Sequence, residues 1–186
     1  MKKILLLAVV MFASLNANAQ FYVGGSVGFG SVKPIGGSDS EFTFKILPEL
    51  GYQLNEQWAV GATLGYQKGA MNLGSGPWTI DSQYANSKGE VFLIAPYARY
   101  TAFDWDQVSL FFDGGMVFGS YKDAGTYIAF GINPGLAVKL TDEISFVTHI
   151  GFLGFENYSP KGGGNSGSTF GLDFKNSCSF GVYYNF

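Results

Sequence analysis

From Phe21 to the C-terminus, apolar residues recur at every second position with small or polar residues between them. A period of two belongs to a β-strand whose faces meet different surroundings, because successive side chains point to opposite sides. Eight runs carry it: Phe21–Phe29, Phe42–Gln53, Trp58–Gln67, Phe92–Tyr100, Val108–Gly119, Phe130–Lys139, Ile144–Phe152 and Ser179–Phe186. No segment after residue 20 carries a helical period. Composition points the same way. The chain has 27 Gly, 18 Phe and 11 Tyr and only 13% charged residues, which excludes disorder and the Ala/Leu/Glu/Lys-rich bundle or coiled coil. A single Arg and a net charge of -3 leave no footprint for nucleic acid. One Cys excludes an intrachain disulfide framework, and one His leaves little for a metal centre, so neither metal nor cofactor is expected.

The first residues read as an address. Lys2 and Lys3 precede an apolar run from Ile4 to Ala13, and the segment closes on Ala17-Asn18-Ala19. That is the form of a secretory signal peptide, and the run is too short for the ~20 residues of a spanning helix. Cleavage between Ala19 and Gln20 is expected, which makes residues 1–19 the leader and 20–186 one domain.

The connections alternate as the side chains do. Leu54–Gln57, Thr101–Gln107 and Thr141–Glu143 are short, whereas those after the first, third, fifth and seventh strands are longer, Gly69–Gly89 and Leu153–Ser177 most of all. Short turns on one side and long loops on the other describe an up-and-down meander in a membrane. In hydrocarbon every backbone donor and acceptor must be paired, so strands span only as a closed barrel. The glycine-rich face then points into a narrow lumen and the apolar face to lipid. Tyr52, Trp58, Tyr100, Phe103, Trp105, Tyr184 and Phe186 cluster near the short turns as an interfacial girdle. The expectation is an all-β, eight-stranded antiparallel up-and-down transmembrane β-barrel. One repeat sits awkwardly in it: Ile46-x-Pro48, Ile94-x-Pro96 and Ile132-x-Pro134. Proline lacks the ladder donor, so each should interrupt a ladder or mark a bulge on the lipid face.

The last eight residues, Ser179-Phe-Gly181-Val-Tyr-Tyr184-Asn-Phe186, run polar-x-Gly-x-x-aromatic-x-aromatic and end on an aromatic. This resembles the signal that outer-membrane barrels present to the bacterial barrel-assembly machinery. With the leader and the eight strands, the mature chain resembles the small OmpA/OmpX-type barrels of the outer-membrane β-barrel domain family. The resemblance implies the outer membrane of a Gram-negative-type bacterium and contact with its lipid; a monomer is the default expectation.

Lys45, Glu49, Arg99, Asp113, Lys139 and His149 fall on the inward parity. Buried charges persist only with partners, so Glu49 and Asp113 should pair with Arg99 or the lysines and plug the lumen. The rival reading is a narrow porin-like path. Lipid-modifying barrels are a third comparison, but the deacylase type needs His-x-Ser, and His149 is followed by Ile150 and Gly151. No catalytic site is expected. Phe170, Leu172 and Phe174 continue the outward parity of the last strand, so this strand should start near Thr169, pair with the residues after Phe152 and rise as a flap. Its free edge would capture an extended surface partner; the alternative is that Phe170, Leu172 and Phe174 fold over the barrel mouth as a hydrophobic lid.

Overall fold

The computed structural model describes residues 21–32, 41–68 and 90–186, with the side chains of 30–32, 41 and 173–178 excepted. Ala19, Gln20, the segment Gly69–Gly89 and the side chain of Phe174 therefore lie outside the described residues. The described chain forms β1 (Phe21–Val32), β2 (Glu41–Gln53), β3 (Trp58–Lys68), β4 (Glu90–Trp105), β5 (Val108–Tyr121), β6 (Gly125–Lys139), β7 (Ile144–Pro160) and β8 (Gly167–Asn185). These close a barrel in sequence order, each strand antiparallel to the next. The closure is short: β1 meets β8 at Tyr22↔Asn185 and Val23↔Tyr184.

The barrel is inside-out relative to a soluble one. Phe29, Ile46, Leu64, Phe92, Phe130 and Phe180 are exposed on the outer face, while Lys45, Glu49, Arg99, Asp113 and His149 are buried within. An apolar surface that surrounds the whole molecule is tolerable only in lipid.

Three of the prolines behave as their chemistry demands. Pro48 pairs with Gly25 on β1, but the β2–β3 ladder skips from Ile46↔Tyr66 to Glu49↔Thr63. Pro96 leaves the same gap between β4 and β5. At Pro134 the β6–β7 register also shifts. In each case one ladder is lost and the other kept, as a residue without an N–H requires.

Several connections differ from the sequence reading. The link after β5 is only the turn 122–124. In place of a loop at Leu153–Ser177, β7 runs on to Pro160 and β8 begins at Gly167, in line with the expected start of the last strand near Thr169 and its pairing with the residues after Phe152. Likewise β4 continues through Thr101 to Trp105 past a bulge between Thr101 and Phe103. Hydrophobic alternation fades where a strand leaves lipid, although its backbone pairing continues, so polar strand ends read as loop. Phe152, which the alternation from Ile144 through Phe146, Thr148 and Ile150 puts on the outward face, points inward instead. Gly151, at φ 87°, is the extra residue of a bulge, and it turns Phe152 inward to 5% exposure. There its ring fills the space above Gly131 and Gly154, where any Cβ would collide with it.

Candidate functional site: the lumen and the outer hairpin

Glycine is what gives the lumen its shape. Tyr22, Tyr97, Phe111 and Tyr183 all carry inward parity, and their rings lie over Gly51, Gly61, Gly135 and Gly24, respectively, where a side chain would clash. Four rings and four glycines thus pack a ring-walled chamber, and one guanidinium occupies it. Arg99 lies with its Cζ 4.0 Å from the centroid of Phe111 and 5.3–5.4 Å from those of Tyr22, Tyr97 and Tyr183. Such cation–π contacts attract a guanidinium that is largely withdrawn from water.

The charge is met from both sides. Arg99 and Asp113 are direct cross-strand neighbours on β4 and β5. Arg99 Nε donates to Asp113 Oδ1 and Nη2 to Oδ2, both at 2.7 Å, which is the bidentate fork geometry of the strongest ion pairs. Nη2 also reaches Glu49 Oε1 and the Tyr183 hydroxyl at 3.5 and 3.4 Å. Tyr97 donates to the same Glu49 oxygen, and its hydroxyl lies 2.7 Å from that of Tyr22. On the far side, His149 Nε2 is 2.9 Å from Asp113 Oδ2, and Ser179, opposite His149 across the β7–β8 ladder, places Oγ 3.3 Å from Nδ1. A carboxylate beside Nε2 makes that nitrogen a donor, and in the corresponding neutral tautomer Nδ1 is the acceptor that faces the Ser179 hydroxyl.

The structure thus gathers Glu49, Arg99, Asp113 and His149 into one network. Lys45 is buried on the same face of β2 at 6% exposure. Lys139 is not part of it: it is exposed at the end of β6 and lines the rim of the bowl described next, because inward parity at a strand end opens to water. The tyrosines were missed as partners because parity placed them inward without showing that their hydroxyls reach Glu49. Ser179 was read only as the first residue of the assembly motif, yet it also serves His149.

Below the network a bowl of about 380 Å³ opens at the short-turn end, floored by Arg99, Phe111 and Tyr183. Beyond that floor lies a space of about 10 Å³ beside Glu49, Thr63, His149 and Ser179, room for a single water. Among the described residues no group of three or more His, Cys, Asp or Glu could hold a metal.

At the other end, β7 and β8 pair from Phe152↔Asp173 to Tyr158↔Gly167. Phe170 and Leu172 are 75% and 59% exposed on the outer face of this hairpin. Above Val23↔Tyr184, β8 has no ladder partner on β1 among the described residues.

A family model described as outer membrane protein beta-barrel domain matches residues 4–186. Among solved structures, the chain is similar to Neisserial surface protein A, with 18% identity and a TM-score of 0.52 over 91% of this chain and 100% of that one. It is also similar to the Yersinia pestis outer membrane protein Ail in a phospholipid bilayer nanodisc, at 16% identity and a TM-score of 0.46, with coverage of 91% and 100%. No curated protein matches.

Proposed function

The chain belongs to the outer membrane protein beta-barrel domain family, and from that premise we propose that it is a plugged barrel that holds the β7–β8 hairpin at the cell surface for an interaction partner. It is an integral protein of the outer membrane of a Gram-negative-type bacterium. The observation that carries the reading is the asymmetry of β8. This strand has 19 residues and pairs with β7 up to Tyr158↔Gly167, whereas among the described residues its ladder with β1 is Tyr22↔Asn185 and Val23↔Tyr184. Only the part of that edge above the hydrocarbon, at Gly167 and Ser168, offers backbone groups to an extended partner strand. We assign assembly to the barrel-assembly machinery acting on Ser179, Gly181, Tyr184 and Phe186, and take the barrel as a monomer.

Permeation is disfavoured because the bowl ends on the Arg99 network, and an eight-stranded interior is filled by side chains. Catalysis is disfavoured on position. Asp113, His149 and Ser179 have the composition of a triad, but His149 stands only five residues above Ile144, so it lies ~12 Å up a tilted strand, near mid-membrane. Ester groups of lipids lie at the polar interface, not at that depth. The test is to replace residues 158–167 with a two-residue turn and compare surface capture by cells carrying either barrel. Loss of a partner with the heat-modifiable barrel intact is expected; the same partners retained would overturn the assignment.

A further inference from the structure

We infer that the outer face of the β7–β8 hairpin up to Phe155 and Phe170 is a lipid-contact surface, and that the outer edge of the hydrocarbon crosses the hairpin one rung above them. The ladder gives the argument. Ile132, Leu153 and Leu172 occupy one continuous rung of β6, β7 and β8, and Phe130, Phe155 and Phe170 the next. The Phe130 and Phe155 rings stack at 5.2 Å, so the hairpin face is a direct extension of the barrel's lipid face. On the following rung the chemistry reverses: Ile128 is succeeded by Asn157 and Ser168, and above it Thr126 pairs with Ser159. A change from Leu and Phe to Asn and Ser within one rung marks a polarity step.

Depth agrees with chemistry. With the bulge residue Gly151 discounted, Phe155 stands about ten strand steps above Ile144, and at ~3.3 Å per step and a ~45° tilt this is ~23 Å, inside an apolar band of ~25 Å. Phe170, directly paired to Phe155, lies within ~3.4 Å of that level, the height of one ~4.8 Å inter-strand step at the same tilt. Exposed aromatic rings there meet the interface, where such rings are favoured. Continuity with the barrel wall selects lipid over a soluble protein as the occupant, since no charged or polar side chain interrupts Leu153, Phe155, Leu172 and Phe170. The proposed partner is then left the tip, Asn157–Ser168, including the β8 edge at Gly167 and Ser168. The two proposals stand or fall separately.

Single nitroxides at positions 130, 155, 163, 168, 170 and 172, on a Cys178→Ala background in lipid nanodiscs, would read the level through their accessibility to oxygen and to a nickel chelate. Positions 130, 155, 170 and 172 are expected to show a several-fold higher oxygen-to-nickel ratio than 163, with 168 on the aqueous side. Position 170 or 172 as accessible to nickel as 163 would overturn the inference and leave the face to a soluble partner. Paramagnetic broadening of the unsubstituted protein by a chain-labelled lipid and by a soluble gadolinium chelate repeats the test without altering Phe170. Amides of 153–155 and 170–172 broadened by the chelate rather than the lipid would equally refute it.

Discussion

Replacing Arg99 with Met asks whether the lumen is held by charge or only by packing. Met keeps most of the length and apolar bulk but removes every donor. Asp113 then loses both 2.7 Å bonds and keeps only His149, and Glu49 keeps Tyr97. Asp113 is 0% exposed and Glu49 4%, so neither can recover hydration. A buried pair contributes little relative to an apolar isostere, because desolvation offsets the Coulomb gain. Breaking it on one side is different, since it strands a charge, and costs about 3–5 kcal/mol. With a urea slope of ~2 kcal/mol/M, the midpoint should fall by about 2 M.

The assay is urea titration in vesicles, followed by loss of the heat-modifiable band. A companion variant separates charge from packing. Arg99→Met combined with Asp113→Asn and Glu49→Gln leaves no stranded charge and should recover much of the loss. An unchanged midpoint for the single variant, or a triple variant no more stable than the single, would refute the account of Arg99 as the partner of two carboxylates.

Deleting Phe186 should leave the protein unfolded in the periplasm, because the terminal aromatic is the proposed assembly signal; a heat-modifiable barrel in the outer membrane would contradict that assignment. Gly61→Val should cost about 1–3 kcal/mol by overpacking, since a Cβ there meets the Tyr97 hydroxyl and the Leu50 carbonyl. Adding Tyr97→Ala should not restore wild-type stability, because Glu49 then loses its tyrosine; full recovery in the double variant would count against that contact. In planar bilayers the protein should show no stable conductance, and steady single-channel steps that vanish on Gly61→Val would show instead that the lumen conducts.

Much of the architecture was legible because it depends on parity alone. A period of two repeated eight times, with Gly, Lys, Glu and Arg on one parity and Phe, Ile and Leu on the other, states which face is which whatever the register. The site was only half legible, because it depends on register. Arg99 faces Asp113 and His149 faces Ser179 because particular residues stand opposite each other, and the β6–β7 and β7–β8 registers shift at bulges that a hydrophobic pattern does not reveal. The same cause explains the error at Phe152: one glycine at positive φ inverts parity for the residues beyond it. Sequence comparison sought a serine two residues after His149, whereas the fold supplies one from the next strand.

The two ends of the molecule can be ranked by what their chemistry leaves available. Inside, the Arg99 fork is taken by Asp113, Asp113 Oδ2 is shared with His149, His149 Nδ1 with Ser179, and Glu49 Oε1 with Tyr97 and Arg99. A network whose members satisfy one another in a low-dielectric interior is rigid, and opening it for a solute would strand several groups at once. That rigidity is of use elsewhere. The β7–β8 hairpin stands on the strands that contribute His149 and Ser179, so the lumen network fixes the base from which Asn157–Ser168 projects. Loosening the base should therefore disorder the tip without touching it: in Ser179→Ala, amide exchange in Asn157–Ser168 should quicken relative to the β2–β3 strands. A ratio of tip to β2–β3 exchange unchanged from the wild type would separate the lumen from the hairpin and remove the link between stability and surface function.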